Sequence, residues 1–156
     1  MRIIDVLLGE HGVFYAEFDR LEMVLPAIAT VREIRELAAL LAAGLVGHAR
    51  AEDELLFAAA AEHGFAPDLV AQMADEHREI EALLERAERV ITADPARDAL
   101  LEAIGLARAH FRREEQLVFP SIQELLAVPV LRGLADQWAE RRGVMVVSLG
   151  PSVDVH

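Results

Sequence analysis

The sequence predicts an all-α protein: an antiparallel up-down four-helix bundle followed by a short C-terminal helix and a tail. Three observations predict it. Apolar residues recur at alternating steps of three and four along four segments, the spacing of helices that each bury one stripe. Three short breaks separate the segments and are brief enough to return each helix alongside the one before it. Hydrophobic residues make up 54% of the chain but aromatics only 5%, a balance that suits helices packed on helices. At 156 residues the chain is long enough for one domain with a sizeable core. Residues 1–127 are expected to form the bundle, and 128–156 a short helix and apolar tail belonging to the same domain.

The first helix has the stripe Ile4, Leu7, His11, Phe14, Phe18, Leu21, Leu25 and ends at the break Pro26 to Thr30. Thr30 with Glu33 reads as a capping box for the second helix. That helix carries Leu41, Leu45, His48, Glu52, Leu55 and Ala59. It stops at His63-Gly64-Phe65-Ala66-Pro67, where Gly64 supplies a left-handed end and Pro67 opens the next helix. The third stripe is Val70, Met73, His77, Ile80, Leu84, Ala87, Ile91. In the third break, Asp94 is read as N-cap and Pro95 as first helical residue. The fourth stripe is Leu100, Ala103, Ala107, His110, Glu114, Leu117, Ser121, with Pro120 expected to bend or end the helix near Phe119. Leu131 to Arg142 reads as a short amphipathic helix covering one end of the bundle. The apolar stretch Val144 to Leu149 is compatible with packing on the bundle, pairing with another subunit, or disorder.

Six polar residues occupy these stripes: His11, His48, Glu52, His77, His110 and Glu114. Their heights agree. In an antiparallel bundle, residues equidistant from a turn lie level. The midpoint of His11 and His48 is 29.5, that of Glu52 and His77 is 64.5, and that of His77 and His110 is 93.5, each inside one of the three breaks. Two pairs share the form His-xxx-Glu (His48 with Glu52, His110 with Glu114), which puts both side chains on one helix face about a turn apart. Burying such groups is costly unless something satisfies them, and a pair of metal ions would.

Imidazole and carboxylate without sulfur favour iron, manganese or zinc over copper(I). Six such donors exceed what one tetrahedral zinc needs. They suit two ions bridged by Glu52 and Glu114, with His11 and His48 on one ion and His77 and His110 on the other, leaving positions for water, a bridging oxygen or a small diatomic molecule. Glu81, four residues after His77, is a further candidate ligand, and Tyr15, four after His11, a candidate donor to a metal-bound oxygen. Met73 reads as core packing, and the neighbours of the ligands in Glu52-Asp53-Glu54 and Glu114-Glu115 as solvated, because adjacent helix positions face different directions. His63 is expected in an exposed loop and His156 at a disordered end.

His11 within Gly9-Glu10-His11, His48-xxx-Glu52, His77 within Asp75-Glu76-His77-Arg78-Glu79-Ile80, and His110-xxx-Glu114 followed by Phe119-Pro120 together resemble the hemerythrin family, in its bacterial HHE cation-binding branch. The resemblance spans roughly residues 3 to 125. It implies two iron ions with a bridging oxygen, manganese or zinc being less favoured, and reversible oxygen binding, sensing of oxygen, iron or nitric oxide, or peroxide decomposition. The oxygen carriers of the family have a second histidine on the third helix, where this chain has Met73. That departure argues for redox turnover or sensing over stable oxygen carriage. The favoured enzymatic reading is catalase-like peroxide decomposition. The alternative is a sensor, or an iron-storage or delivery protein, without turnover. No residue is assigned a catalytic proton-transfer role.

The formal charge of −12 repels phosphate backbones and makes nucleic acid an unexpected partner. The chain has no cysteine, so disulfides and thiolate chemistry are excluded. The N-terminus has an early Asp5 and too short an apolar run for a signal peptide. The longest uncharged apolar-rich stretch, Leu37 to Ala49, falls short of the roughly 18 residues needed to span a bilayer. A cytoplasmic protein without a membrane partner is expected, with the C-terminal tail as the surface for a homodimer or protein partner.

Overall fold

A computed structural model describes residues 1–144, and they contain helices and no strand. The expectations for the apolar stretch beyond Val144 and for His156 fall outside the described residues. Helix α1 spans Ile3–Val24, α2 Val31–Ala51, α3 Ala58–Glu62, α4 Pro67–Arg89, α5 Ala93–Arg113, α6 Phe119–Leu125 and α7 Val128–Arg141. A wide, π-helical turn at Glu52–Phe57 joins α2 to α3, and another at Glu114–Val118 joins α5 to α6. The arrangement is compatible with a four-helix bundle in which α2 and α5 are each prolonged by a short second segment. No single helix among the described residues is long and apolar enough to cross a membrane.

The breaks follow their local chemistry. Thr30 caps α2, its Oγ1 accepting from the Glu33 backbone N–H at 3.3 Å. The reciprocal half differs from expectation: the Glu33 carboxylate accepts from the Thr30 hydroxyl. Gly64, at φ 84°, ends α3 in the left-handed region, and Pro67 opens α4. His63 is exposed there, with its Nδ1 2.8 Å from the Ala59 carbonyl. At the third break, Thr92 precedes the first residue of α5, not Asp94. The physical reason is that the first turn of a helix has no intrahelical partners for its N–H groups, so Pro95 is tolerated at the third position as well as the first. Arg97 closes the opposite side, donating to the carbonyls of Leu25 at 2.9 Å and Ile28 at 2.7 Å.

The two π-helical turns correct the expected stripes. In each, a backbone N–H reaches five residues back: Ala58 to Asp53, and Phe119 to Glu114. One extra residue per turn shifts every following side chain by one position. Ala60 is therefore fully buried where Ala59 was expected, and Val118 and Ile122 where Leu117 and Ser121 were expected; Leu117 is 51% exposed. Pro120 does not end the helix. It follows a turn that is already widened, which accommodates its missing N–H and its ring, and α6 continues to Leu125. Ile91 is exposed because α4 ends at Arg89.

Apolar packing forms two clusters. One gathers Phe14, Phe18, Leu41, Leu84, Leu100 and Phe111. The other gathers Ile4, Leu7, Phe57, Met73, Phe119 and Leu131. Each fully buried phenylalanine contributes roughly 1.5–3 kcal/mol of burial energy. Helix α7 buries Leu131, Leu134 and Ala135 against the second cluster, three residues earlier in onset than the sequence suggested. Its axis turns by 117° from the α5–α6 run. Between the two clusters lie the six polar residues.

Helices α1 and α2 approach closely at Gly44. A Cβ there would lie 2.9 Å from Cε1 of Phe14, a ring held within the first apolar cluster. Gly44→Val is expected to destabilise the protein by about 1–3 kcal/mol, since overpacking outweighs the helix propensity gained on losing glycine. Thermal denaturation followed by circular dichroism checks this as a fall of several degrees in Tm.

Candidate metal centre

Each of the six stripe residues reaches the layer between the apolar clusters because its helix carries it there on the buried face. His11, His48, Glu52, His110 and Glu114 are buried, none more than 2% exposed, and His77 is nearly so. Their donor atoms form two groups that share members. His11, His48, Glu52 and Glu114 make one; Glu52, His77, His110 and Glu114 make the other, each with ligand atoms within 4.8 Å of one another. Glu52 and Glu114 belong to both.

Distances show how the sharing works. Oε1 of Glu52 lies 3.1 Å from Nε2 of His48 and 3.7 Å from Nε2 of His11, while its Oε2 lies 3.2 Å from Nε2 of His77. Oε2 of Glu114 lies 3.4 Å from Nε2 of His11, while its Oε1 lies 3.2 Å from Nε2 of His110. Each carboxylate thus turns one oxygen to each group. Across the first group, the two Nε2 atoms of His11 and His48 face each other at 3.0 Å.

Close approach without hydrogen bonding marks the site. Both oxygens of Glu52, both of Glu114, and Nε2 of His77 and His110 are buried and have no hydrogen-bond partner. An orphaned buried polar atom is costly, and six in one layer call for a common acceptor of their lone pairs. Neighbouring donors around an ion with bonds of about 2.1 Å stand about 3 Å apart, as these do. The residues therefore fit metal cations, with nitrogen and oxygen donors only.

The outer edge of each imidazole is held by a second carboxylate. Nδ1 of His11 lies 2.9 Å from Glu115, Nδ1 of His48 2.8 Å from Glu10, Nδ1 of His77 3.2 Å from Asp53, and Nδ1 of His110 2.8 Å from Glu76. A carboxylate can only accept, so Nδ1 carries the proton and Nε2 is turned inward. Every clamp comes from a different helix than its histidine, and each clamp stands next in sequence to one of the six: Glu10 beside His11, Asp53 beside Glu52, Glu76 beside His77, Glu115 beside Glu114. The reading of Asp53 and Glu115 as merely solvated is corrected here. A neighbour on a helix is rotated by about 100°, which in a bundle brings it to the flank, where Asp53 and Glu115, half-buried, reach a histidine of the adjoining helix. Adjacency of an acid to a stripe His or Glu was the signal available in the sequence. His11 is fixed further by stacking on Phe111, with centroids 3.8 Å apart.

These contacts set the charge state of the metal-free site. Burial alone would push each imidazole pKa down. Glu114 and Glu52 outweigh it at His11 and hold it at about 9; Glu52 and Glu10 hold His48 at about 10; Asp53 and Glu52 hold His77 at about 10. His110 is raised as well, against its burial, chiefly by Glu114. Glu52, despite burial that opposes ionisation, is held well below the usual carboxylate range by His48, His11 and His77. Without metal, these carboxylates favour the protonated form of each histidine against its burial.

Glu81 is not brought to the cluster. One turn after His77 it is exposed, at the rim of a cavity between α2 and α4, and it belongs to neither donor group. The buried face of α4 runs through Met73, Ile80, Leu84 and Ala87, and Glu81 stands on its flank, next to Ile80 and rotated by about 100° from it. Tyr15 also stands outside both groups. Its ring packs edge-on against Phe18 and Phe111; its hydroxyl is buried without a partner, and burial and the charge of Glu115 push its pKa up. Met73 is 1% exposed within the second apolar cluster.

The clamps lead to a measurable expectation. Glu76→Gln keeps the size of the side chain but removes the charge that holds His110, and should lower metal affinity by roughly 10–100-fold. A competition titration against a chelator of known affinity checks it.

Comparison with curated proteins and with solved structures finds no significant match. The family model described as the hemerythrin HHE cation binding domain matches residues 2–122, and matches again over 73–141. The first match takes in all six residues of the layer and the four helices that carry them, so the chain belongs to the hemerythrin family, as an HHE cation-binding domain.

Proposed function

We propose that the layer holds two iron ions bridged by Glu52 and Glu114, and that the protein binds or reduces a small oxidant there. One observation carries the reading: the two donor groups share both carboxylates, with one oxygen of each turned to either side. Two iron ions so held would supply redox and Lewis-acid chemistry toward dioxygen, peroxide or nitric oxide. His11 and His48 serve one ion and His77 and His110 the other through Nε2, while Glu10, Asp53, Glu76 and Glu115 hold the imidazoles in orientation from Nδ1. Each group offers four donor residues, fewer than an octahedral ion takes, and Met73 adds no imidazole.

The reading includes an antiparallel, up-down course for the four long helices. Its support is the order in which each meets the two apolar clusters. Helix α1 runs from Ile4 and Leu7 past His11 to Phe18, α2 from Leu41 past His48 into the π-helical turn at Leu55, α4 from Met73 past His77 to Leu84, and α5 from Leu100 past His110 into the π-helical turn at Val118. The sense alternates from helix to helix.

Catalase-like turnover is the enzymatic form we favour: two peroxide molecules give two waters and one dioxygen. Iron-loaded protein should release oxygen on addition of hydrogen peroxide, and His77→Ala should lose most of that release. Two bound irons with no oxygen release would assign the site to binding or sensing instead.

A further inference from the structure

A cavity of about 150 Å³ opens between α2 and α4 and ends on His48, His77 and His110. Ala49 on α2 and Ala74 on α4, each half-buried, are among its lining, and larger side chains at either position would take up its space. Leu45, Ile80, Leu84 and Phe111 give its walls their large apolar side chains. The rim carries two cations, Arg50 and Arg78, and two acids, Asp53 and Glu81, so neither sign of charge dominates the entrance.

Size decides what belongs there. A water's share of liquid volume is about 30 Å³, whereas an apolar cavity of about 150 Å³ accommodates benzene. Dioxygen or hydrogen peroxide, with two heavy atoms, would occupy a small part of this space. Apolar walls favour an apolar body. A balanced rim on a chain of net charge −12 gives no attraction to an anion. The polar end of an occupant would meet the three imidazoles.

We propose that this cavity binds a small neutral organic hydroperoxide, its hydrocarbon body between α2 and α4 and its O–O end toward His77 and His110. The substrate assignment rests on the peroxide reading above; the cavity as a binding site does not. Reduction breaks the O–O bond: ROOH takes two electrons and two protons and yields ROH and water. A one-electron donor of the ferredoxin or flavin class supplies the electrons in two steps.

The test uses the full chain, zinc-loaded for binding and iron-loaded for turnover. Benzyl alcohol, an unreactive molecule of matching size, should bind the zinc-loaded protein saturably and shift resonances of residues lining the cavity. Ala74→Leu, and independently Ala49→Leu on the facing helix, should weaken that binding by roughly ten-fold or more, since added methylenes fill the space. Circular dichroism and metal content verify that each variant is folded and loaded. With reduced methyl viologen as donor, Ala74→Leu should lower kcat/KM for cumene hydroperoxide by about ten-fold relative to that for hydrogen peroxide. Absence of benzyl alcohol binding, or binding indifferent to both leucines, overturns the cavity as a site whether or not peroxide is turned over. Binding that behaves as expected, in a protein that reduces hydrogen peroxide but not cumene hydroperoxide, overturns the substrate class. Inactivity toward both peroxides, with binding intact, overturns the peroxide reading and not the site.

Discussion

Glu52→Gln is expected to empty both halves of the metal centre, lowering the affinity for each ion by at least about 100-fold, beyond the loss usual for outer-sphere partners. Glu52 is the residue for which this follows most directly, because its Oε1 faces His48 and His11 while its Oε2 faces His77. The amide has nearly the same shape but no charge, and its NH2 must face one group or the other. Both ions are therefore affected by one substitution. In the metal-free protein the same change removes the buried carboxylate that His48, His11 and His77 share, and breaking a buried pair by removing one partner costs about 3–5 kcal/mol. Elemental analysis after gel filtration and denaturant melts read the two effects. Glu81→Gln is the control, since Glu81 is exposed and belongs to neither donor group, and both readouts should match the parent protein.

Metal binding and folding should respond to pH in opposite directions. His11, His48 and His77 are raised from 6.5 to about 9, about 10 and about 10 in the folded, metal-free chain. A raised pKa means that folding favours the protonated form. The stability these groups contribute is complete below pH 6.5 and disappears as pH rises through about 9 to 10. On the acid side, Glu52 and Glu76 are lowered below 4.5, so their contribution is present above that value and is lost as pH falls further. The metal-free protein should therefore be most stable between about pH 5 and 6.5, and weaken in alkali. Metal ions need the imidazoles neutral, so affinity should rise over the alkaline range where metal-free stability falls. At pH 7, loading both ions should release about three protons, one from each of His11, His48 and His77. Calorimetry in buffers of different ionisation enthalpy measures that number. Release of fewer than one proton would show that the imidazoles are neutral before metal arrives.

Periodicity carried most of the fold into view, and with it the depth of the layer. His11 and His48, whose midpoint falls in the first break, meet at 3.0 Å; Glu52 and His77, paired across the second, meet at 3.2 Å. A rule of equal heights needs short breaks between packed helices. It failed where the helix itself changes pitch. Nothing in a three-and-four spacing announces the π-helical turns at Glu52–Phe57 and Glu114–Val118, and the stripes after them moved by one residue, from Leu117 to Val118 and from Ala59 to Ala60. Both turns begin at the glutamate of a His-xxx-Glu pair, in keeping with the habit of such turns to sit at functional sites.

The four clamps were hidden for a different reason. Glu10, Asp53, Glu76 and Glu115 lie off the apolar stripe, where a charged residue is ordinarily solvated; only the position of the adjoining helix turns them toward a histidine. Sequence spacing on one helix shows which residues share a face and not what another helix places opposite. Glu81 presents the reverse case: its spacing from His77 matches the motif, while its side chain stands exposed at the rim of the cavity.

On the proposed reading, one layer of six side chains holds two ions through two shared carboxylates. The most direct measurement is the number of metal ions bound per chain when metal-free protein is titrated with ferrous iron without oxygen and then freed of excess metal. Two irons per chain are expected on that reading, falling below one in Glu52→Gln. One iron per chain in the parent protein, or none with a stability indifferent to chelation, would contradict it.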